Sequence, residues 1–256
     1  MRLPLLPVIL IVLCNMPSQG ETHPLHSALT LRETLLSKHT YKYNEYLKLQ
    51  RNDSPSGDFS KWKRNIFTTV FWIGEKACKK NPVPNDKSSW DTQWQNNYGG
   101  YDSPTRRIGY YPQDFAPKLN PFYVALPYND INKRGTKPEA KHIVPWFNTT
   151  FVKDGKSTLK SRWLAIHHKG KICYAQWEDT GPFKTDDWKY VFGHAPPKAR
   201  AGLDISPAVR DYLKMETNCY TDWKFVADEQ VPPGPWKPSR PIAQPRSLIQ
   251  DLARSY

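Results

Sequence analysis

Two aspartates stand out for their setting. In the stretch WEDTGPFKTDDWKYVFGHAPPKARAGLDIS, residues 177–206, Asp179 lies just before a Gly-Pro turn and Asp204 just before a Ser-Pro helix start, with aromatic residues between them. Paired carboxylates suit general acid–base work, in which one group delivers a proton near neutral pH. Such a group needs burial or a neighbouring negative charge to raise its pKa. Glu178, Asp179 or a loop carboxylate such as Asp91 would supply that charge to Asp204 if the fold brings them close. Both aspartates also have a structural reading. Asp before Gly-Pro is favoured in turns because its side chain bonds to nearby backbone. A carboxylate ahead of a helix satisfies amides there and complements the helix dipole.

The elements that must position these residues are mostly short strands between turns. RWLAIHH and KICYAQWED flank a Lys169-Gly170 turn and read as a hairpin. In its second strand Cys173, Ala175, Trp177 and Asp179 alternate with Ile172, Tyr174, Gln176 and Glu178, so Asp179 continues the Trp177 face. Further strands are expected over Asn65–Gly74, Pro121–Pro127 and Asp222–Asp228. One helix is well signalled: Ser206 can cap it, Pro207 suits its first position, and Val209, Tyr212 and Leu213 recur near helical spacing. Asp204 is thus expected at a strand-to-helix junction. Between Gly74 and Pro121 runs a long polar segment, rich in Trp and Asn. A loop of that length in a compact domain is functional or ordered by its own side chains.

The ends of the 256-residue chain read differently. Residues 1–20 carry Arg2, an apolar run from Leu3 to Leu13, and small residues at Ser18 and Gly20. This is the pattern of a secretory signal cleaved after Gly20. The run is too short for a membrane anchor, which needs about 20 apolar residues, so the mature protein is expected to be secreted or periplasmic. Residues 21–64 read as a helical segment and linker, 65–236 as the main domain, and 237–256 as a flexible tail. Asn52-Asp53-Ser54 and Asn148-Thr149-Thr150 match the glycosylation acceptor pattern.

A net charge of +13 and a pI near 9.5 imply attraction to acidic polymers. Outside the cytoplasm that means cell-wall or surface glycans more readily than nucleic acid, although the dispersed Lys and Arg residues also fit solubility alone. No basic helix or arginine cluster suggests nucleic-acid binding. Beyond the signal three cysteines remain, Cys78, Cys173 and Cys219. One disulfide is expected in an oxidising compartment, and Cys173–Cys219 is the favoured pairing because both adjoin strand-like segments. No Cys-x-x-Cys or His-x-x-x-His spacing calls for a metal, and His167 and His168 point to opposite faces of a strand. No cofactor is expected, and the protein is read as a monomer.

Asp179-Thr180-Gly181-Pro182-Phe183 followed by Asp204-Ile205-Ser206-Pro207-Ala208 resembles the paired marks of double-psi β-barrel domains of the rare lipoprotein A type. FWIGE, Phe71–Glu75, is similar to that family's Tyr-Gly strand, and ALPYND, Ala125–Asp130, to its Leu-Pro segment. The resemblance spans roughly Phe67 to Val226. It implies a mainly β fold, a six-stranded double-psi β-barrel with helical and loop insertions and an N-terminal helical appendage. Two features depart from the family: Lys184 to Leu203 stand where it has a short turn, and Asn129-Asp130 replaces Gly-Thr.

Relatives with this barrel include lytic transglycosylases, endoglucanases, expansins and barwin-like proteins. The resemblance implies that Asp204 is the general acid protonating a glycosidic oxygen. Hydrolysis adds a second carboxylate, about 5 Å away for retention or roughly 6.5–9.5 Å for inversion, whereas a transglycosylase manages with one. Asp179, Glu75 and Asp91 are the candidates for that second role. Glu75 matches the family's Gly-Glu position, and Asp91 sits between Trp90 and Trp94, whose faces suit stacking on pyranose rings. Trp90, Trp94, Trp177 and Tyr174 form the candidate substrate-binding set, with Trp163, Trp177 and Trp223 also fitting packed strand faces. The expected partner is cell-wall polysaccharide or another acidic glycan. A non-catalytic glycan binder of expansin type and a secreted partner-binding protein are the competing expectations.

Overall fold

The structure is a computed structural model that describes residues 61–78, 81–216 and 218–237. The expected signal, the N-terminal helical segment and linker as far as residue 60, the Asn52 triplet, and the tail beyond 237 lie outside the described residues.

The hairpin and the helix follow from local chemistry. Strands β7 (Arg162–His168) and β8 (Lys171–Thr180) meet at Lys169 and Gly170, with φ of 44° and 79°. Two left-handed residues in a row match the twist of the flanking strands, and a glycine at the second makes that inexpensive. The register sets Ile166 against Cys173 and Leu164 against Ala175, which puts Cys173, Ala175 and Trp177 on the buried face. A register shift against β4 (Tyr123–Leu126) that skips Glu178 then moves Asp179 from the Trp177 row into that of Ala125, so it does not continue the Trp177 face as expected. Helix α5 (Pro207–Leu213) starts as its sequence indicates. The Ser206 hydroxyl accepts from the Val209 N–H at 3.3 Å and donates to the Pro121 carbonyl at 2.7 Å.

Six strands close into a barrel in the order β1 (Lys63–Val70), β10 (Cys219–Val226), β7, β8, β4 (Tyr123–Leu126), β9 (Leu203–Ile205) and back to β1. Two neighbour pairs, β1 with β9 and β4 with β8, are parallel. The other four are antiparallel. Closure leaves none of these strands with a free edge. Three of them differ in extent from their sequence reading; β4 is shorter at both ends than the expected Pro121–Pro127. Strand β1 ends at Val70 because its parallel partner β9 stops at Ile205, after which the Phe71 N–H makes one last bond to the Ile205 carbonyl and the chain turns away. Strand β10 begins at Cys219, three residues early, because β1 extends the ladder to Thr68 opposite Cys219.

The long polar segment, in its described residues, is built from short elements packed on the barrel. Its helix α1 (Trp94–Tyr98) buries Trp94 and Tyr98 against Phe71, Ile73, Tyr123 and Ala125. Short strand pairs β2 (Arg107–Ile108) with β3 (Tyr111–Pro112) and β5 (Ile131–Asn132) with β6 (Gly135–Thr136) decorate the loops. Helices α2 (Ala140–Ile143) and α3 (Phe147–Thr150), unmarked in the sequence reading, follow. The expected insertion carries helix α4 (Trp188–Val191) and is held to the barrel by aromatic rings. The Tyr190 hydroxyl accepts from Trp223 Nε1 at 2.7 Å, and Phe192 stacks on Phe225 at 5.8 Å.

The expected disulfide is not formed: Cys78, Cys173 and Cys219 are free thiols. Cys173 lies on β8 and Cys219 on β10, with β7 between them. Two strand spacings of about 4.8 Å exceed the Cα separation of about 4.4–6.8 Å that a disulfide tolerates. Among the described residues no helix is long and apolar enough to cross a membrane. Among the same residues, no group of three His, Cys, Asp or Glu side chains is placed to hold a metal ion.

Candidate functional site

Strand β4, antiparallel to β9 and parallel to β8, brings the two aspartate marks together. Thr69 of β1 pairs with Asp204 of β9, Asp204 pairs with Ala125 of β4, and Ala125 pairs with Asp179 of β8. Paired residues share a face of the sheet, so Thr69, Asp204, Ala125 and Asp179 form one row across four strands. The small, buried Ala125 stands between the two carboxylates in that row. Gly181 borders the same row, where a methyl group would stand 3.7 Å from Asp204 Oδ2.

Asp204 has the electrostatics of an acid. Burial pushes its carboxyl up to about 7, and the negative charges of Glu75 and Asp179 add to that rise against a hydrogen bond donated by the Thr69 hydroxyl. Asp179 is raised to about 6, again chiefly by burial. Its Oδ1 accepts from the backbone N–H of Ser89 at 2.7 Å and from that of Thr180 at 2.7 Å. Asp179 therefore ties the long loop to the end of β8.

Glu75 is close enough for its charge to act on Asp204. Its Oε2 accepts from Asn81 Nδ2 at 3.2 Å and Asn85 Nδ2 at 2.9 Å, and burial still raises its pKa above the usual range. Glu75 lines a cleft of about 820 Å³ with Trp72, Gly74, Gln95 and Tyr101. That volume is within the range of about 300–1,000 Å³ typical of ligand sites.

Asp91 is placed elsewhere. Both of its oxygens accept from Asn97 Nδ2 at 2.9 Å, and Oδ1 also accepts from the Gln93 N–H at 2.9 Å. Its charge acts on Glu178, whose carboxyl burial lifts to about 7. The fold thus groups Asp204, Glu75 and Asp179, and sets Asp91 beside Glu178.

The aromatic candidates are redistributed. Trp94 is 1% exposed and Trp177 fully buried, so neither presents a face to solvent. Trp90 packs edge-on against Trp177 at 5.7 Å and donates Nε1–H to Asn129 Oδ1 at 2.9 Å. Tyr174 lies on the partly exposed face of β8, tilted against Trp236 at 5.2 Å. The rings facing the Glu75 cleft are Trp72 and Tyr101, which sequence reasoning missed. Trp72 alternates in FWIGE with buried Phe71 and Ile73, which is the local signal that sets its ring on the opposite side from theirs.

No family model matches this sequence, and no curated protein matches it. Among solved structures, the Streptomyces papain inhibitor (SPI) aligns with 65% of this chain and 96% of its own, at 13% identity and a TM-score of 0.27. A likeness that slight bears no argument about function.

Proposed function

We propose that this protein is an exported polysaccharide-acting enzyme on a double-psi β-barrel of the rare lipoprotein A type, cleaving glycan chains with Asp204 as general acid. The observation that carries the reading is the Asp204 carboxyl, raised to about 7 by burial and by the charges of Glu75 and Asp179, in one row with Asp179 across β9, β4 and β8. The two parallel strand pairs of the closed six-stranded barrel support the fold assignment. The +13 charge favours approach to an anionic cell-wall polymer.

Protonated Asp204 gives its proton to the glycosidic oxygen as the bond from that oxygen to the anomeric carbon breaks. Its carboxylate then takes the proton of the hydroxyl that attacks the oxocarbenium-like centre. A sugar hydroxyl in that step gives lytic transglycosylation, and Asp204 ends the cycle protonated. Glu75, with Oε1 free of the two amides that hold Oε2, stabilises the positive charge that develops at the anomeric carbon. Asp179, committed to two backbone N–H groups, positions the loop.

The acid must be protonated to act, so kcat/KM on cell-wall glycan falls as pH rises through about 7. A pH–rate profile from pH 5 to 9 tests this. A flat profile across that range is incompatible with the assignment.

A further inference from the structure

We propose, resting on the glycan-acting reading above, that Tyr101 is the platform on which a pyranose ring of the substrate lies, with Trp72 as the second wall of the cleft and Gly74 as the residue that sets the platform. Tyr101 is 45% exposed and lines the cleft that holds Glu75. A single exposed ring needs no explanation by itself, but one that lines a cleft of ligand size with polar side chains at its rim has the composition of a binding site. A pyranose presents a face of C–H groups to such a ring and leaves its hydroxyls to polar side chains at the rim. Glu75, Gln95, Asp86 and Lys76 supply those partners along the same cleft.

The ring is held before any ligand arrives. A Cβ at position 74 would stand 2.9 Å from Tyr101 Cδ2 and 3.0 Å from Gln95 Oε1, so both side chains lie directly on the glycine backbone. Gly74 has φ of +83°, a conformation other residues adopt only with strain. Its neighbourhood is pinned on both sides. The Gly74 N–H donates to the Asn85 carbonyl at 2.8 Å, and the Asp102 N–H to the Ile73 carbonyl at 3.0 Å. Asp102, next to Tyr101 in the chain, is itself buried and paired with Arg107. A ring fixed in this way loses little freedom when a sugar docks, and the affinity it contributes is correspondingly high.

The test is calorimetric titration of the full chain carrying Asp204→Asn with a soluble tetrasaccharide of β-1,4-linked N-acetylglucosamine. Adding Tyr101→Ala is expected to weaken Kd about tenfold, equivalent to about 1.4 kcal/mol. Tyr101→Phe should hold Kd within about twofold, and Gly74→Ala should weaken it by displacing the ring. An unchanged Kd in the Tyr101→Ala protein overturns the proposal, and so does absence of saturable binding by the Asp204→Asn parent. The outcomes separate the two assignments. Cleavage lost in Asp204→Asn with Kd indifferent to Tyr101 removes the platform and leaves the acid. Cleavage kept in Asp204→Asn with Kd dependent on Tyr101 removes the acid and leaves the platform.

Discussion

Asp204→Asn is expected to lower glycan cleavage by about 10²–10⁴-fold, the contribution of a positioned general acid, while the barrel stays folded. Asparagine matches aspartate in size and still accepts the hydrogen bond from Thr69. It has no proton to deliver. The sign of its effect on stability separates catalysis from scaffolding. Because burial raises the Asp204 pKa, its ionised form costs free energy in the folded state, and the neutral amide removes that cost. Above pH 7 the variant should therefore melt no lower than the parent. Loss of cleavage with an unchanged or higher Tm identifies an acid. Loss of both would mark Asp204 as a structural group at the start of α5, and full activity in the variant would remove it from the mechanism.

The second large effect is expected at Asp102. Its carboxylate is buried, 2.5 Å from Arg107 Nη1, and accepts from the Tyr123 hydroxyl at 2.8 Å. Arg107 is only 5% exposed, and its other ion-pair partner is Asp211 at 3.1 Å. Asp102→Ala leaves the guanidinium buried with half of its compensation. Removing one partner of a buried pair costs about 3–5 kcal/mol, and the remaining Asp211 places this case near the lower end. In a domain of this size the loss corresponds to a Tm lower by roughly 6–12 °C. Differential scanning calorimetry of the variant checks it. A Tm within about 2 °C of the parent would mean that the network adds little. The same change would loosen Tyr101 and so connect fold stability to the cleft.

The parts of the fold that were legible in the sequence are those whose signals are local. The Lys169-Gly170 turn, the alternation along β8 as far as Trp177 and the Ser206-Pro207 start of α5 each depend on a few consecutive residues, and all three are present. Asp204 was legible as a junction residue. Its row with Asp179 was not, because that row depends on β9 and β4 closing the barrel between them. Barrel order also decides the cysteines. Cys173 and Cys219 both flank strands, yet β7 separates them, and nothing in the neighbouring residues announces that.

Trp94 shows the converse difficulty. In the polar run SSWDTQWQNNYGG its ring reads as a surface platform. The five-residue helix α1 instead turns Trp94 and Tyr98 inward onto Phe71 and Tyr123, a tertiary choice that short-range composition does not encode. Asp102 lies in the long polar segment, where nothing local marks it for burial. Its burial follows from Arg107, Tyr123 and Asp211 converging from three separate stretches of chain.

The central claim is that Asp204 carries a proton near neutral pH. Carbon-13 NMR of protein labelled at its aspartate carboxyls measures this directly, with the Asp204→Asn spectrum assigning the resonance. The account predicts a carboxyl that titrates at about 7. A midpoint near the ordinary aspartate value of about 4 would contradict it.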